Sequence, residues 1–238
     1  MTKALSNPQL VVALDVPHTS VALTLARTLA GTAPWCKVGM EMFTHAGPAL
    51  LEELAGLGYK IFLDLKFYDI PHTVAQAVKV AAGIGVDMLT LHCQGGERMC
   101  RAAREAVSSL PGKKPLLFGV TVLTSFAPGE MPGVSESPAD FALTLAKGAQ
   151  MWGLDGVVCS GHEASGIKAS CPGLMCLCPG IRPPGSAVDD QRRTMTPAHA
   201  VAAGADYLVV GRPIIAAHDP RAAAEQILAD MTSAVAGI

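Results

Sequence analysis

The sequence predicts one α/β domain over residues 1–238, a (β/α)8 barrel of parallel strands ringed by helices. Three observations lead there. Short, continuous apolar runs of the kind buried on both faces recur along the chain, separated by helical stretches. The 238 residues exceed a typical domain of roughly 100–150, yet fit the about 250 that an eight-fold barrel uses. No linker or low-complexity segment interrupts the alternation, which requires parallel strands joined by helical crossovers. The competing arrangement is an open doubly wound sheet. That sheet would more often carry a glycine-rich phosphate loop after its first strand, where Asp15-Val16-Pro17-His18 stands instead.

The elements follow in order. Gln9 to Leu14 is the first strand, ended by Asp15-Val16-Pro17, and Thr19 or Ser20 is placed to cap a helix running to Ala30. Pro34 to Gly39 is the second strand, followed by a helix from Met42 to Leu57. Lys60 to Leu65 is the third, and Pro71 opens a helix to Ile84. Val86 to Leu91 is the fourth, ending at His92, with a helix from Arg98 to Ser108. Pro115 to Val120 is the fifth. A Pro/Gly-rich loop, Ala127 to Ser137, then leads to a helix from Pro138 to Met151. Gly156 to Cys159 is the sixth, with a short helix from His162, and Leu174 to Cys178 is the seventh. Tyr207 to Val210 is the eighth, and a helix from Pro220 to Val235 closes the chain.

Composition excludes several functions. The formal charge is −2, and no basic block is interleaved with aromatics, which argues against a nucleic-acid partner. No stretch approaches the roughly 20 apolar residues of a membrane span, and Met1 to Pro8 has no signal-peptide core, so a cytoplasmic location is expected. The 7 cysteines sit mostly in apolar segments, which fits reduced, buried thiols. The 7 histidines show no paired ligand spacing, and Cys176 and Cys178 lack a second pair to complete a thiolate site, so no metal centre is expected.

The polar residues that remain choose one place. Asp15, Lys37, Asp64, Lys66, Thr124, Arg182 and Arg212 each lie at or just beyond the C-terminal end of an expected strand. In a βα barrel those ends form the face that holds the active site. On the third strand, Asp64 and Lys66 are two apart and face the same way. Asp69 lies past the strand end, giving a cation flanked by two carboxylates, in which opposite charges keep all three groups ionised. A solvated surface ion cluster would show the same spacing, but scattered charges would not select strand ends so consistently. Pro179-Gly180-Ile181-Arg182 and Val210-Gly211-Arg212-Pro213 follow strands seven and eight, between which barrel enzymes often bind phosphate. The polar stretch from Pro184 to Arg193 is long for a βα loop and is a candidate lid.

Asp64-Leu65-Lys66-Phe67-Tyr68-Asp69-Ile70-Pro71-His72-Thr73, Val120-Thr121-Val122-Leu123-Thr124-Ser125, Pro179-Gly180-Ile181-Arg182, Asp190-Gln191-Arg192 and Val210-Gly211-Arg212-Pro213 together resemble the orotidine 5′-phosphate decarboxylase family. The resemblance runs from Ala13-Leu14-Asp15 to the last strand, and Cys178 before Pro179-Gly180 is a variation it tolerates. It implies decarboxylation of orotidine 5′-phosphate to uridine 5′-phosphate in pyrimidine synthesis, without metal or cofactor. Lys66 would stabilise and protonate the carbanion at C6, and Asp64 would sit beside the departing carboxylate. Lys37 would link Asp64 to the ribose, which Asp15 also binds. The resemblance further implies a homodimer in which Asp69 and Thr73 reach the neighbouring site. Thr124 would face the pyrimidine, Gln191 would bridge lid and phosphate, Gly211 and Arg212 would hold the phosphate, and Arg182 would lie at the lid base. The nearest alternative is a metal-dependent barrel decarboxylase or aldolase acting on a sugar phosphate. Such relatives share Asp-x-Lys-x-x-Asp but lack the Ile-Pro-x-Thr continuation and the Leu-Thr-Ser segment. A phosphate-ligand binding protein without turnover would have no need for the crowded charges around Lys66.

Overall fold

Eight strands pair in parallel, in sequence order, and the last closes on the first. In the computed structural model, which describes residues 7–184 and 193–236, these are β1 Gln9–Ala13, β2 Trp35–Gly39, β3 Lys60–Phe67, β4 Met88–His92, β5 Leu116–Val120, β6 Gly156–Val158, β7 Met175–Cys178 and β8 Tyr207–Val210. The helices are α1 Thr19–Leu29, α2 Met40–Gly56, α3 Pro71–Gly83, α4 Gly96–Ser108, α5 Pro138–Met151, α6 Gly161–Ser170, α7 Pro197–Ala202, α8 Arg212–Ile215 and α9 Pro220–Ala236. Each expected strand is present, with its ends shifted by at most two residues. Helices α7 and α8 were not anticipated, because six and four residues are too few to display a 3.6-residue period.

Two local expectations are corrected. Neither Thr19 nor Ser20 caps α1. Both lie inside it, and the N-cap is His18, with no side-chain hydrogen bond. The second helix is broken internally, because Gly47 adopts φ 61° and Pro48 follows it. A positive φ is open to glycine, and proline suits the first turn of the segment that restarts there.

The period of two along each strand sorts the core into two parts. Leu10, Val12, Cys36, Val38, Ile61 and Leu63 point outward and pack under the helices. Val11, Ala13, Trp35, Phe62, Met88, Phe118, Met175, Leu177, Tyr207 and Val209 fill the barrel. Tyr207 meets Trp35 and Phe118 edge-to-face, at centroid distances of 5.6 and 5.7 Å. Such pairs add about 0.5–1.5 kcal/mol to their burial. The same phase carries polar residues inward one step further up. Lys37 follows Trp35 by two, Asp64 follows Phe62 by two, and Thr90 follows Met88 by two. The aromatic and aliphatic plug is therefore the platform on which the polar mouth stands.

The opposite end of the barrel is held by a repeated device. Asp87, Asp155 and Asp206 each immediately precede or lie one residue before an even-numbered strand. Their carboxylates accept hydrogen bonds from Ile61 N (2.8 Å), Leu117 N (2.8 Å) and Cys176 N (2.7 Å), at or next to the start of the preceding strand. Each also pairs with a cation, respectively Lys113, Arg104 and Lys168. The expected reduced cysteines are found, since all seven are free and buried, and burial pushes the Cys36 and Cys100 thiols up to about 12. Among the described residues, no helix is long and apolar enough to cross a membrane.

Asp206→Ala removes a charge-assisted bond to a buried strand N–H and strips Lys168 of its carboxylate partner, leaving it the Leu174 carbonyl. The urea midpoint should drop by the equivalent of about 1.5–3 kcal/mol. An unchanged midpoint would mean that the carboxylate is inert and the ladder alone holds this end.

Candidate active site

At the C-terminal end of the barrel, a cavity of about 710 Å³ opens above the apolar plug. Ala13, Phe62, Val158, Leu177 and Val209 form its apolar lining, and charged side chains gather along β1, β2 and β3. Lys37 Nζ lies 2.9 Å from Asp15 Oδ1 and 3.7 Å from Asp64 Oδ2, and Lys66 Nζ lies 2.8 Å from the same Asp64 oxygen. The charges alternate in a row: Asp15, Lys37, Asp64, Lys66. Asp64 is almost buried, at 9% exposure, and its other oxygen accepts a hydrogen bond from Thr90 Oγ1 at 2.9 Å.

Burial is the largest single influence on Asp64 and would raise its carboxyl. The ammoniums of Lys37 and Lys66, with the hydrogen bonds from Lys66 and Thr90, outweigh it and hold the carboxyl below its ordinary range. Ionised Asp64 therefore stabilises the fold above the unfolded value of about 3.9, and that contribution fades as pH falls through the lower folded value. The row thus keeps a buried anion between two cations at neutral pH. His92, at the end of β4, has its imidazole held below its usual value, first by burial and then by Lys66.

The backbone bends to bring Lys66 in. Lys66 has φ 51°, the one positive φ outside glycine among the described residues, and the β3–β4 register shifts between Leu63 and Phe67. The Lys66 N–H, displaced from a regular ladder, donates to Thr90 Oγ1 at 3.0 Å. Asp64 and Lys66 converge as their spacing predicts, but through an irregular strand that runs to Phe67 and not through a regular one ending at Leu65. A left-handed conformation at a side chain other than glycine costs about 1–2 kcal/mol, and such strain gathers at functional sites.

The structure brings Asp15, Lys37, Asp64, Lys66, Thr124, Arg182, Gly211 and Arg212 to one cavity. Thr124 lies opposite the charged row on the β5 connection, while Gly180 and Arg182 after β7, with Gly211 and Arg212 after β8, form a further side. A side chain at Gly211 would meet Ala13 Cβ at an ordinary 3.5 Å, so packing within the chain does not itself demand glycine there. Gln191 lies outside the described residues. Asp69 and Thr73 are exposed and do not line the cavity. The expected cation between two carboxylates is therefore corrected. Among the described residues Lys66 makes no ion pair with Asp69, whose Oδ1 accepts from Ile70 N at 2.6 Å, and the second carboxylate of the row is Asp15, reached through Lys37. Thr90 escaped the sequence reading, and His92 was read only as the end of the fourth strand. The signal for Thr90 was its inward phase two residues after Met88, hidden inside an otherwise apolar run.

Lys66→Gly and Lys66→Ala both delete the ammonium and differ only in what φ 51° costs. The glycine variant should be more stable by about 1 kcal/mol in urea denaturation. Equal stability, or a more stable alanine variant, would mean that the bend relaxes and is not imposed by its surroundings.

The sequence and the barrel both match known proteins. Residues 8–227 match the model of the family described as "Orotidine 5'-phosphate decarboxylase / HUMPS family". The chain is 55% identical over 230 residues to an orotidine 5′-phosphate decarboxylase of Nitratidesulfovibrio vulgaris strain DP4, covering 94% of this chain and 98% of that one. It is 50% identical over 224 residues to the Pseudomonas aeruginosa strain LESB58 protein of the same name, covering 93% and 97%. The crystal structure of orotidine 5′-phosphate decarboxylase from Lactobacillus acidophilus superposes with a TM-score of 0.82 at 34% identity, over 94% of this chain and 99% of that one.

Proposed function

The chain belongs to the orotidine 5′-phosphate decarboxylase / HUMPS family, and from that membership we propose that its barrel mouth converts orotidine 5′-phosphate to uridine 5′-phosphate and CO2 through a C6 carbanion that Lys66 stabilises and protonates. Its activity is that of a carboxy-lyase in pyrimidine biosynthesis. The observation that carries the mechanism is the alternating row Asp15, Lys37, Asp64, Lys66 at the cavity wall.

The chemistry needs electrostatics. Breaking the bond between C6 and the carboxylate leaves an electron pair in the ring plane, where the π-system cannot spread it. An ammonium about 4 Å from that charge is worth about 4 kcal/mol at an effective dielectric near 20. A substrate carboxylate set beside ionised Asp64 leaves as neutral CO2, which relieves the like-charge contact as the bond breaks. The lone pair on C6 then takes a proton from Lys66 Nζ, and solvent restores the ammonium. Lys37 holds Asp64 and Asp15 in place and offers donors to the ribose, whose hydroxyls Asp15 accepts. Thr124 faces the pyrimidine. Gly211 and Arg212, with Arg182 beside them and Gln191 from the loop, take the phosphate. No metal or organic cofactor enters the scheme.

Asp69 and Thr73 belong in this proposal to the site of a second subunit. They sit on a stretch whose apolar side chains face outward, with Tyr68 at 60% and Ile70 at 65% exposure. A homodimer that covers those side chains would deliver Asp69 and Thr73 to the neighbouring cavity. In this proposal the enzyme works in the cytoplasm, without a nucleic-acid or membrane partner.

Mixing the purified protein with orotidine 5′-phosphate should give the absorbance loss of decarboxylation, undiminished in excess EDTA. Lys66→Ala should abolish it with the fold intact. Activity within about tenfold of wild type in that variant would remove Lys66 from its role, and a magnesium-restored loss in EDTA would favour a metal-dependent relative acting on a sugar phosphate.

Subunit sharing has its own test. Inactive Lys66→Ala chains mixed with inactive Asp69→Ala chains under exchange should regain activity, because one site of each heterodimer combines an intact Lys66 with an intact Asp69. Proven heterodimers that stay inactive would return Asp69 to its own chain's site.

A further inference from the structure

A second ion pair, with a buried carboxylate and a partly buried guanidinium, lies beside the cavity without lining it. Arg193 pairs with Glu163 through Nη1, and its Nη2 donates to Val122 O at 3.2 Å and Leu123 O at 3.1 Å. Those two carbonyls immediately precede Thr124 and Ser125 on the cavity wall. The other oxygen of Glu163 accepts from Ser160 N at 2.8 Å, closing the capping box that starts α6. On the far side, Arg193 is two residues from Met195, and the Met195 backbone is clasped to the β7 connection. Arg182 N donates to Met195 O at 2.9 Å, and Met195 N donates to Gly180 O at 3.2 Å. His162, in the first turn of α6, meets Thr194 O at 3.0 Å. One guanidinium therefore joins the β5 connection, the start of α6 and the segment that braces Gly180 to Arg182.

We propose that Glu163 and Arg193 are positioning residues for decarboxylation, holding the Gly180–Arg182 segment in register with the Val122–Ser125 segment. The proposal rests on the reading above, in which the first segment lies towards the substrate's phosphate and the second faces its pyrimidine ring. A substrate that touches both must find them at a fixed separation, since binding at one end aligns the reacting end only if the frame between them is rigid. A stability role accounts poorly for the pair. Glu163 is 6% exposed, and its carboxyl is raised by burial more than Arg193 and the Ser160 N–H lower it. Apolar replacement of a buried pair is often neutral or stabilising, so the burial of Glu163 beside Arg193 is weak ground for a stability role. Arg193 also spends two donors on main-chain carbonyls that a merely neutralising cation would not need to reach.

The test is the double variant Glu163→Gln/Arg193→Met. Glutamine keeps the capping box, and methionine fills the space with no charge left unpaired. It is assayed on orotidine 5′-phosphate and on orotidine, which lacks the phosphate and so does not need the two segments in register. The expected result is a thermal midpoint within about 4 °C of wild type, catalytic efficiency on orotidine 5′-phosphate reduced at least about tenfold, and efficiency on orotidine changed less than about threefold. Equal losses on both substrates, or no loss on the phosphorylated one, would overturn the proposal. Should the double variant not fold, Arg193→Lys gives the same reading. It keeps a cation but has one nitrogen in place of two, so it cannot stand at once where Nη1 meets Glu163 and where Nη2 meets the two carbonyls, and a loss confined to the phosphorylated substrate is again expected. A wild-type protein without turnover would instead fail the reading on which this one rests, whatever the variants do.

Discussion

The site depends on one buried carboxylate. Asp64 has lost most of its water and is kept ionised by Lys37 and Lys66, with Thr90 bonding its second oxygen. A single ammonium beside it would satisfy the charge. Two make it a hub, so that each lysine is oriented by an anion it shares with the other. Removing Asp64 would leave two cations facing the same cavity with only Asp15, itself half exposed, to separate them. Like charges at that range repel, so the shared carboxylate is what lets both ammoniums stand on one cavity wall.

The strand that carries this carboxylate is also the one that departs from regular geometry. A regular β3 would extend its ladder to β4 and keep Lys66 in the plane of the wall. The bend at φ 51° breaks the register, frees the Lys66 N–H, and requires an acceptor that the neighbouring backbone no longer supplies. Thr90 is that acceptor, and the same hydroxyl donates to Asp64. One side chain thus serves the strained backbone and the buried anion together. The strain is offset locally, by a residue whose position follows from the phase that set Met88 into the core.

That division explains what could be read from residues alone. The barrel was legible because each strand is a short apolar run and each rests on the same two-residue period, and Asp15, Lys37, Asp64, Lys66, Thr124, Arg182 and Arg212 were legible because they end those runs. Asp69 misled. Three residues from Lys66 in sequence, it looked like a second flanking carboxylate, but spacing along a chain predicts neighbours only while the strand continues. β3 ends at Phe67, and beyond it Asp69 turns to the backbone of Ile70. Thr90 and the pair Glu163–Arg193 were hidden for the opposite reason. Their partners lie 26 and 30 residues away, a separation that no local pattern encodes.

The bend at Lys66 has a last consequence on the outer surface. A chain that turns one side chain inward at the end of a strand must leave the wall on the next few residues, and here those are Tyr68, Asp69 and Ile70, all exposed. Two are large and hydrophobic, a few residues from the charged row, where an isolated chain gains nothing from presenting them to water. Tyr68 is partly supported by the ring of His92, 5.5 Å away, on the strand that also supplies Thr90. The position of the lysine and the shape of this surface are therefore set by the same few backbone angles. In the proposed dimer that coupling has a clear use. Covering Tyr68 and Ile70 would clamp the segment that starts two residues after Lys66, so association would restrain the strained residue at the moment it completes the neighbouring cavity. Assembly and the placing of the Lys66 ammonium would then be one structural event and not two.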